Sequence, residues 1–296
     1  MTLAEGRPLP LEPTVYWWAF TVHGIVNFIV LPLSLWLGSP YGKLQDTFRL
    51  RCGLWGCETK WHGQWGWVVM ESMALVAYWL SAGWVNACTT LEGWLWTFHY
   101  VNRAWVYPWR CEGRKPMALY VILSALTFNA VNGYLNGRWL FWRDQKVPVN
   151  GLQTTQALGM SLFVVGFIIN YWADMYLVRL RQSRYSTPVT MSSSYALRSR
   201  KRRQAVAARQ PPTQTDCRQY IIPRSGLFEL VSCPHYFGEV VEWCGFALVA
   251  QSPAAWLFVF ATLANLLPRA MHTHWWYKRT FPEYPRKRKA LIPFVL

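Results

Sequence analysis

The sequence predicts an all-α integral membrane protein, with about seven transmembrane helices in one bundle. Three observations carry this. Of 296 residues, 53% are hydrophobic and 15% are charged, against about 25% charged in an ordinary soluble domain. The apolar residues gather into runs that approach the roughly 20 needed to cross a bilayer. The basic residues collect in alternate gaps between those runs. Residues 1–296 are expected to form a single membrane domain.

The first run, 14–38, follows the polar "MTLAEGRPLPLEP". It is too long for the apolar region of a cleavable signal and is expected to act as its own insertion signal. The second, 65–87, opens "WGWVVMESMALVAYW", with Glu71 inside it. The third, 91–108, contains "WLWTFHYVNRAWVYPW", and the fourth, 117–138, contains "NAVNGYLNG". The fifth, 152–178, leads into "NYWADMYLVRLR". The last two, 236–250 and 253–267, are short, which suits a tilt or a helical hairpin turning at Ser252-Pro253. Trp and Tyr crowd many of the run edges, as at membrane–water interfaces.

Lys and Arg set the expected orientation. With the N-terminus on the non-cytosolic side, segments 39–64, 109–116, 179–235 and 268–296 face the cytosol. They hold 25 of the 30 basic residues, so an odd number of spans and a cytosolic C-terminus are expected. Most of the +16 charge is then a topology signal. Residues 183–217, rich in Ser, Arg, Gln and Pro, are read as a flexible basic insertion in a cytosolic loop. Its "RSRKRR" suits contact with anionic membrane lipid; no nucleic-acid partner is expected.

The seven cysteines, at 52, 57, 88, 111, 217, 233 and 244, have no paired spacing that builds a metal site or a disulfide framework. "HTH" at 272–274 has the wrong spacing for a helical metal pair, and no metal is expected. Neither GxGxxG nor GxxxxGK[ST] occurs, so a bound nucleotide would rely on Arg and amide side chains.

The ionisable groups inside the runs are Glu71, Arg103, Asp174, Glu239 and Glu242. Each costs at least about 2.5 kcal/mol at a helix centre, so each is expected to face the bundle interior and to serve function. Tyr100, Arg103 and Tyr107 share one helical face by their spacing. Asn170 and Asp174 lie one turn apart, and Arg181 follows two turns later. Glu239 and Glu242 share a face that needs cationic partners. The Asn and Gly residues of "NAVNGYLNG" fit either a polar cavity wall or close helix packing.

From Tyr220 onward, "YIIPRSGLFELVSCPHYFGEVVEWCGFAL" and "LPRAMHTHWWYKRTFPEYPRKRKALIPFVL" resemble the C-terminal region of the steroid 5-alpha-reductase family. Upstream, "WVVME", "FHYVNR" and "NYWAD" fall in matching order, so the resemblance spans most of the chain. It implies a seven-span, multi-pass protein of the endoplasmic reticulum membrane. It also implies NADPH-dependent reduction of the C4–C5 double bond of a 3-oxo-delta-4 steroid, a lipophilic substrate.

By the same resemblance, Glu71 and Tyr100 are the catalytic pair at the steroid's C3 carbonyl, and Trp67 and Trp243 line the steroid pocket. Arg103, Arg114, Asn170, Asp174, Arg181, Tyr220, His235, Glu239, Arg269 and Tyr277 match positions that hold NADPH. His235 departs from the pattern, which usually has Asn there, and Thr273 interrupts a His-His-His run. Residues 183–217 are longer than the family's linker. Polyprenal or trans-2-enoyl-CoA reduction stays open within the superfamily, as does a membrane methyltransferase, which would need S-adenosylmethionine instead.

Overall fold

A computed structural model describes residues 12–38, 60–111, 116–144, 154–185 and 220–296. The long helices are α1 (Glu12–Leu37), α2 (Gly63–Ala82), α4 (Leu91–Val101), α6 (Leu119–Asp144), α7 (Thr154–Tyr185), α8 (Pro234–Ala250) and α9 (Pro253–Thr280). Short α3 (Trp84–Thr89) and α5 (Tyr107–Arg110) flank α4. A minimal antiparallel ladder, Lys60–Trp61 (β1) with Met117–Ala118 (β2), ties the start of α2 to that of α6.

Among the described residues, three helices are long and apolar enough to cross a membrane: Pro13–Leu37, Thr154–Gln182 and Pro253–Thr280. The other helices are diluted by polar and aromatic residues. Examples are Glu71 and three Trp in α2, and three Asn and two Arg in α6.

Local chemistry sets the helix limits. The α2 helix stops at Gly83, whose φ of 80° is open to glycine without strain. Thr90 caps α4 by accepting a bond from Gly93 N at 3.2 Å. Gln251 takes a left-handed turn, and Ser252 then caps α9 through Ala255 N at 2.9 Å, with Pro253 in the first turn. The expected hairpin at Ser252-Pro253 is therefore present.

The second arm of that hairpin is longer than its apolar stretch. Hydropathy falls after Leu267, but α9 continues to Thr280. Its polar residues find partners on other elements: His272 faces the carbonyls of Ser34 and Leu35 on α1 at 3.2 and 3.0 Å, and His274 meets Ser232 at 2.6 Å. The two histidines thus point to different neighbours.

Two seams hold the helices close. Along α7 and α8, a Cβ on Gly166 would land on Glu242 N, and one on Gly245 would land on Phe163 N. Along α2 and α6, Gly137 sits against Tyr78 O and Gly133 against Ala74 O. Small residues permit this backbone approach. The close-packing reading of "NAVNGYLNG" thus holds. Its glycines pack on α2, and of its buried amides Asn129, Asn132 and Asn136, Asn129 donates to Met70 O at 2.6 Å. The main core surrounds Trp96, which stacks on Tyr78 at 4.7 Å and meets Trp243, Phe246 and Phe258.

Candidate active site

The helical segment after α4 is irregular. Asn102–Val106 forms a π turn, in which the Tyr107 N–H bonds Asn102 O, five residues back. Pro108 supplies a physical reason: it has no N–H for the carbonyl four residues earlier. Such single-turn π bulges are common at functional sites. Here the bulge carries Arg103. The guanidinium lies over the Trp67 ring at 4.9 Å and the Tyr107 ring at 5.4 Å. Trp67 in turn donates its indole N–H to Arg103 O at 3.0 Å.

Around Arg103 the buried polar groups converge. Its Nη1 is 3.8 Å from Asp174 Oδ2, and its Nη2 is 3.7 Å from Glu239 Oε2. These are ion-pair distances beyond direct hydrogen bonding. Asn170 donates to His235 O at 3.0 Å and approaches Glu239 Oε2 at 3.4 Å. Glu71 is within electrostatic reach of both Tyr100 and Arg103.

Tyr100 is 3% exposed, with its ring 5.9 Å from that of Trp243. The Asn132 amide lies beside the Tyr100 hydroxyl, although Asn132 Nδ2 makes no hydrogen bond of ordinary geometry. Asn132 Oδ1 accepts from Asn136 Nδ2 at 3.1 Å, which leaves Nδ2 as the end of Asn132 available to a neighbour such as Tyr100.

The expected site residues thus form a continuous group of Trp67, Glu71, Tyr100, Arg103, Asn170, Asp174, His235, Glu239 and Trp243. A second group adjoins it. Arg269 lies over Tyr236 at 5.2 Å, and Tyr236 touches His235 at 4.1 Å between ring centroids. Tyr220 meets Trp276 at 4.9 Å, and Tyr277 stacks on Tyr284 at 5.2 Å. Arg181 is exposed on α7, two turns beyond Asp174. Arg114 and residues 186–217 of the basic insertion lie outside the described residues.

Glu239 and Glu242, expected on a face that needs cationic partners, meet different nearest groups. Glu239 faces Arg103, whereas Glu242 is fully buried and meets His99 Nδ1 at 2.7 Å. Three residues of α8 turn through about 300°, about 60° short of a full circle, which separates their nearest neighbours. His99, packed against Trp243 at 4.4 Å, and Asn132 are site neighbours that sequence reasoning did not single out. The marks were present: His99 stands beside Tyr100 in "FHYVNR", and Asn132 lies in an amide-rich run.

The fold and site together define a helical membrane protein that encloses a carboxyl, a phenol and a guanidinium between apolar rings. A sequence profile described as 3-oxo-5-alpha-steroid 4-dehydrogenase matches residues 115–199 and 206–296. The 3-oxo-5-alpha-steroid 4-dehydrogenase 1 of Bos taurus is 32% identical over 92% of this chain and 93% of its own length. Steroid 5-alpha-reductase DET2 of Arabidopsis thaliana is 32% identical over 89% of this chain and 90% of its own. The rat 3-oxo-5-alpha-steroid 4-dehydrogenase 1 (Rattus norvegicus) is 37% identical over 67% and 64% respectively. The chain belongs to the 3-oxo-5-alpha-steroid 4-dehydrogenase family, oxidoreductases that act on CH–CH bonds.

Proposed function

We propose that this chain reduces the C4–C5 double bond of a 3-oxo-delta-4 steroid with NADPH, in the endoplasmic reticulum membrane. The observation that carries the reading is the position of Arg103. It joins the Glu71–Tyr100 pair on one side to Asp174 and Glu239 on the other. The distribution of basic residues supports an odd number of spans with a cytosolic C-terminus, and the apolar runs suggest seven.

The donor set fits a nicotinamide dinucleotide. Asn170, Asp174 and Glu239 offer amide and carboxylate groups for a carboxamide and ribose hydroxyls. Arg181 and Arg269 offer cations for phosphates, and Arg is suited to bidentate phosphate contacts. Tyr220, His235 and Tyr277 supply adjoining ring and polar surface. When bound, NADPH supplies the hydride that ends on C5.

The chain's own residues prepare the acceptor. Negative charge grows on the C3 oxygen as C5 accepts hydride, and the enolate is discharged when C4 takes up a proton. Tyr100 donates a hydrogen bond there, where a dry site makes it most effective. Glu71 shares that network and orients the phenol. Asn132 Nδ2 lies on the phenol side, where a small approach on substrate binding would let it donate to the phenol oxygen and leave the phenol's own proton for the substrate. Trp67 and Trp243 bound the apolar cleft and exclude water.

The purified chain, assayed with NADPH, is expected to turn over steroid enones faster than polyprenal or trans-2-enoyl-CoA. A preference for either of the latter reassigns the substrate. Binding of S-adenosylmethionine without NADPH overturns the reductase reading. Arg181→Ala is expected to weaken NADPH binding about tenfold, within the range of hydrogen bonds to charged groups. An unchanged titration removes Arg181 from the cofactor site.

A further inference from the structure

Beyond α9 the chain turns back and forms one side of an open pocket of about 500 Å³. Met271, His274, Trp275 and Lys278 of α9 form one wall. They share a helical face distinct from that of Arg269 and Tyr277. The other wall comes from the returning segment: Arg286, Lys287, Arg288, Lys289 and Ala290, then Val295 and Leu296. Five of the lining residues are cationic, and among the described residues no carboxylate side chain lines the pocket.

The wall is built rather than loose. Lys289 pairs with Val231 in a parallel bridge, and Ser232 N bonds Lys289 O at 2.8 Å. The buried Ser232 hydroxyl joins His274 Nδ1 at 2.6 Å, Tyr284 at 2.7 Å and Lys289 O at 3.0 Å. Lys289 Nζ reaches Val295 O at 3.3 Å, across the returning tail.

Arg288 is the unusual member. It is 2% exposed, and its Nε, Nη1 and Nη2 make no hydrogen bond of ordinary geometry. Its ion partner Glu229 stands 3.7 Å away and is itself mostly exposed, and the Tyr284 ring lies 4.9 Å from the guanidinium. A buried guanidinium without hydrogen bonds is costly unless an anion completes it.

The surroundings say which anion. Lys278 lies two residues from the end of a helix long enough to cross a membrane. Trp275, Ile292, Phe294 and Val295 present exposed apolar surface beside the cations. Aromatic and apolar groups next to Lys and Arg at a span end match the headgroup level of a bilayer.

We propose that this pocket binds the phosphate-bearing headgroup of an anionic phospholipid, with Lys278 and Lys289 on the phosphate and the buried Arg288 adding positive charge behind them. Phe294 and Val295 lie along the acyl chains, and Arg286 and Lys287 add attraction at the rim. The site adjoins the second group through Tyr284, on which Tyr277 stacks at 5.2 Å and whose ring lies 4.9 Å from Arg288.

Calorimetric titration of the full chain in detergent tests this. The probes are dioctanoyl phosphatidylserine, dioctanoyl phosphatidylcholine and inorganic phosphate. The serine lipid is expected to bind at least about tenfold more tightly than the choline lipid. Arg286→Ala and Lys287→Ala, both at exposed positions, are each expected to weaken it about fivefold and to leave the choline lipid unchanged. Equal binding of the two lipids, or no change in either variant, overturns the proposal. Phosphate binding as tightly as the serine lipid makes this a free-anion site, and displacement of the lipid by NADPH makes it a nucleotide site; either result overturns the lipid assignment.

Discussion

Tyr100→Phe is expected to lower kcat for a steroid enone about 10²–10³-fold, the range for removing one donor from a developing oxyanion. The ring sits in the aromatic cluster of Trp96, His99 and Trp243. Phenylalanine preserves that packing, so the variant isolates the hydroxyl. NADPH binding is expected to stay near its original value, because the Asp174, Asn170 and Glu239 group does not include the phenol. Glu71→Gln is expected to lose most turnover as well, since a carboxamide cannot share a proton with Tyr100 as a carboxyl does. Single-turnover kinetics with pre-bound NADPH separate the chemical step from cofactor affinity. Near-native turnover in both variants would exclude the pair from catalysis.

His99→Ala is expected to destabilise the fold by about 3–5 kcal/mol, because it leaves a fully buried carboxyl group without its partner. Glu242 Oε2 already lacks a hydrogen bond among the described residues, so little else compensates. The double variant His99→Leu with Glu242→Leu is expected to recover much of the loss, since a matched apolar pair removes the stranded group. Thermal unfolding in detergent checks both. If His99→Ala unfolds like the parent, the His99–Glu242 contact contributes nothing to stability. The recovery in the double variant separates a stranded carboxyl group from a simple packing defect, because an aliphatic pair restores the volume on both sides.

The site was legible where chemistry made a residue improbable. Glu71, Arg103, Asp174 and Glu239 stand out because ionisable groups are expensive in apolar runs, and the structure gathers them. Helix α9 was legible only in its apolar half, since hydropathy cannot see that carbonyls of α1 receive His272. The His99–Glu242 contact joins residues 143 positions apart, and no local pattern encodes such a pairing. Asn132 was marked by its amide-rich neighbourhood, but its place beside Tyr100 depends on how α6 meets α4. The π turn was also hidden. Pro108 is visible in the sequence, but whether a helix answers it by bending, ending or widening depends on what its next turn must reach.

That widened turn has a further consequence. It inserts one residue of phase between two halves of a continuous rod. Before it, Trp96 and Tyr100 keep time with the aromatic core; after it, Tyr107 keeps time with the cluster around Trp67. Deleting one residue between them would restore a regular helix and rotate the later half by about 100°. The Tyr100 and Tyr107 sides of the rod would then no longer meet their two clusters together, although every side chain of both clusters would still be present.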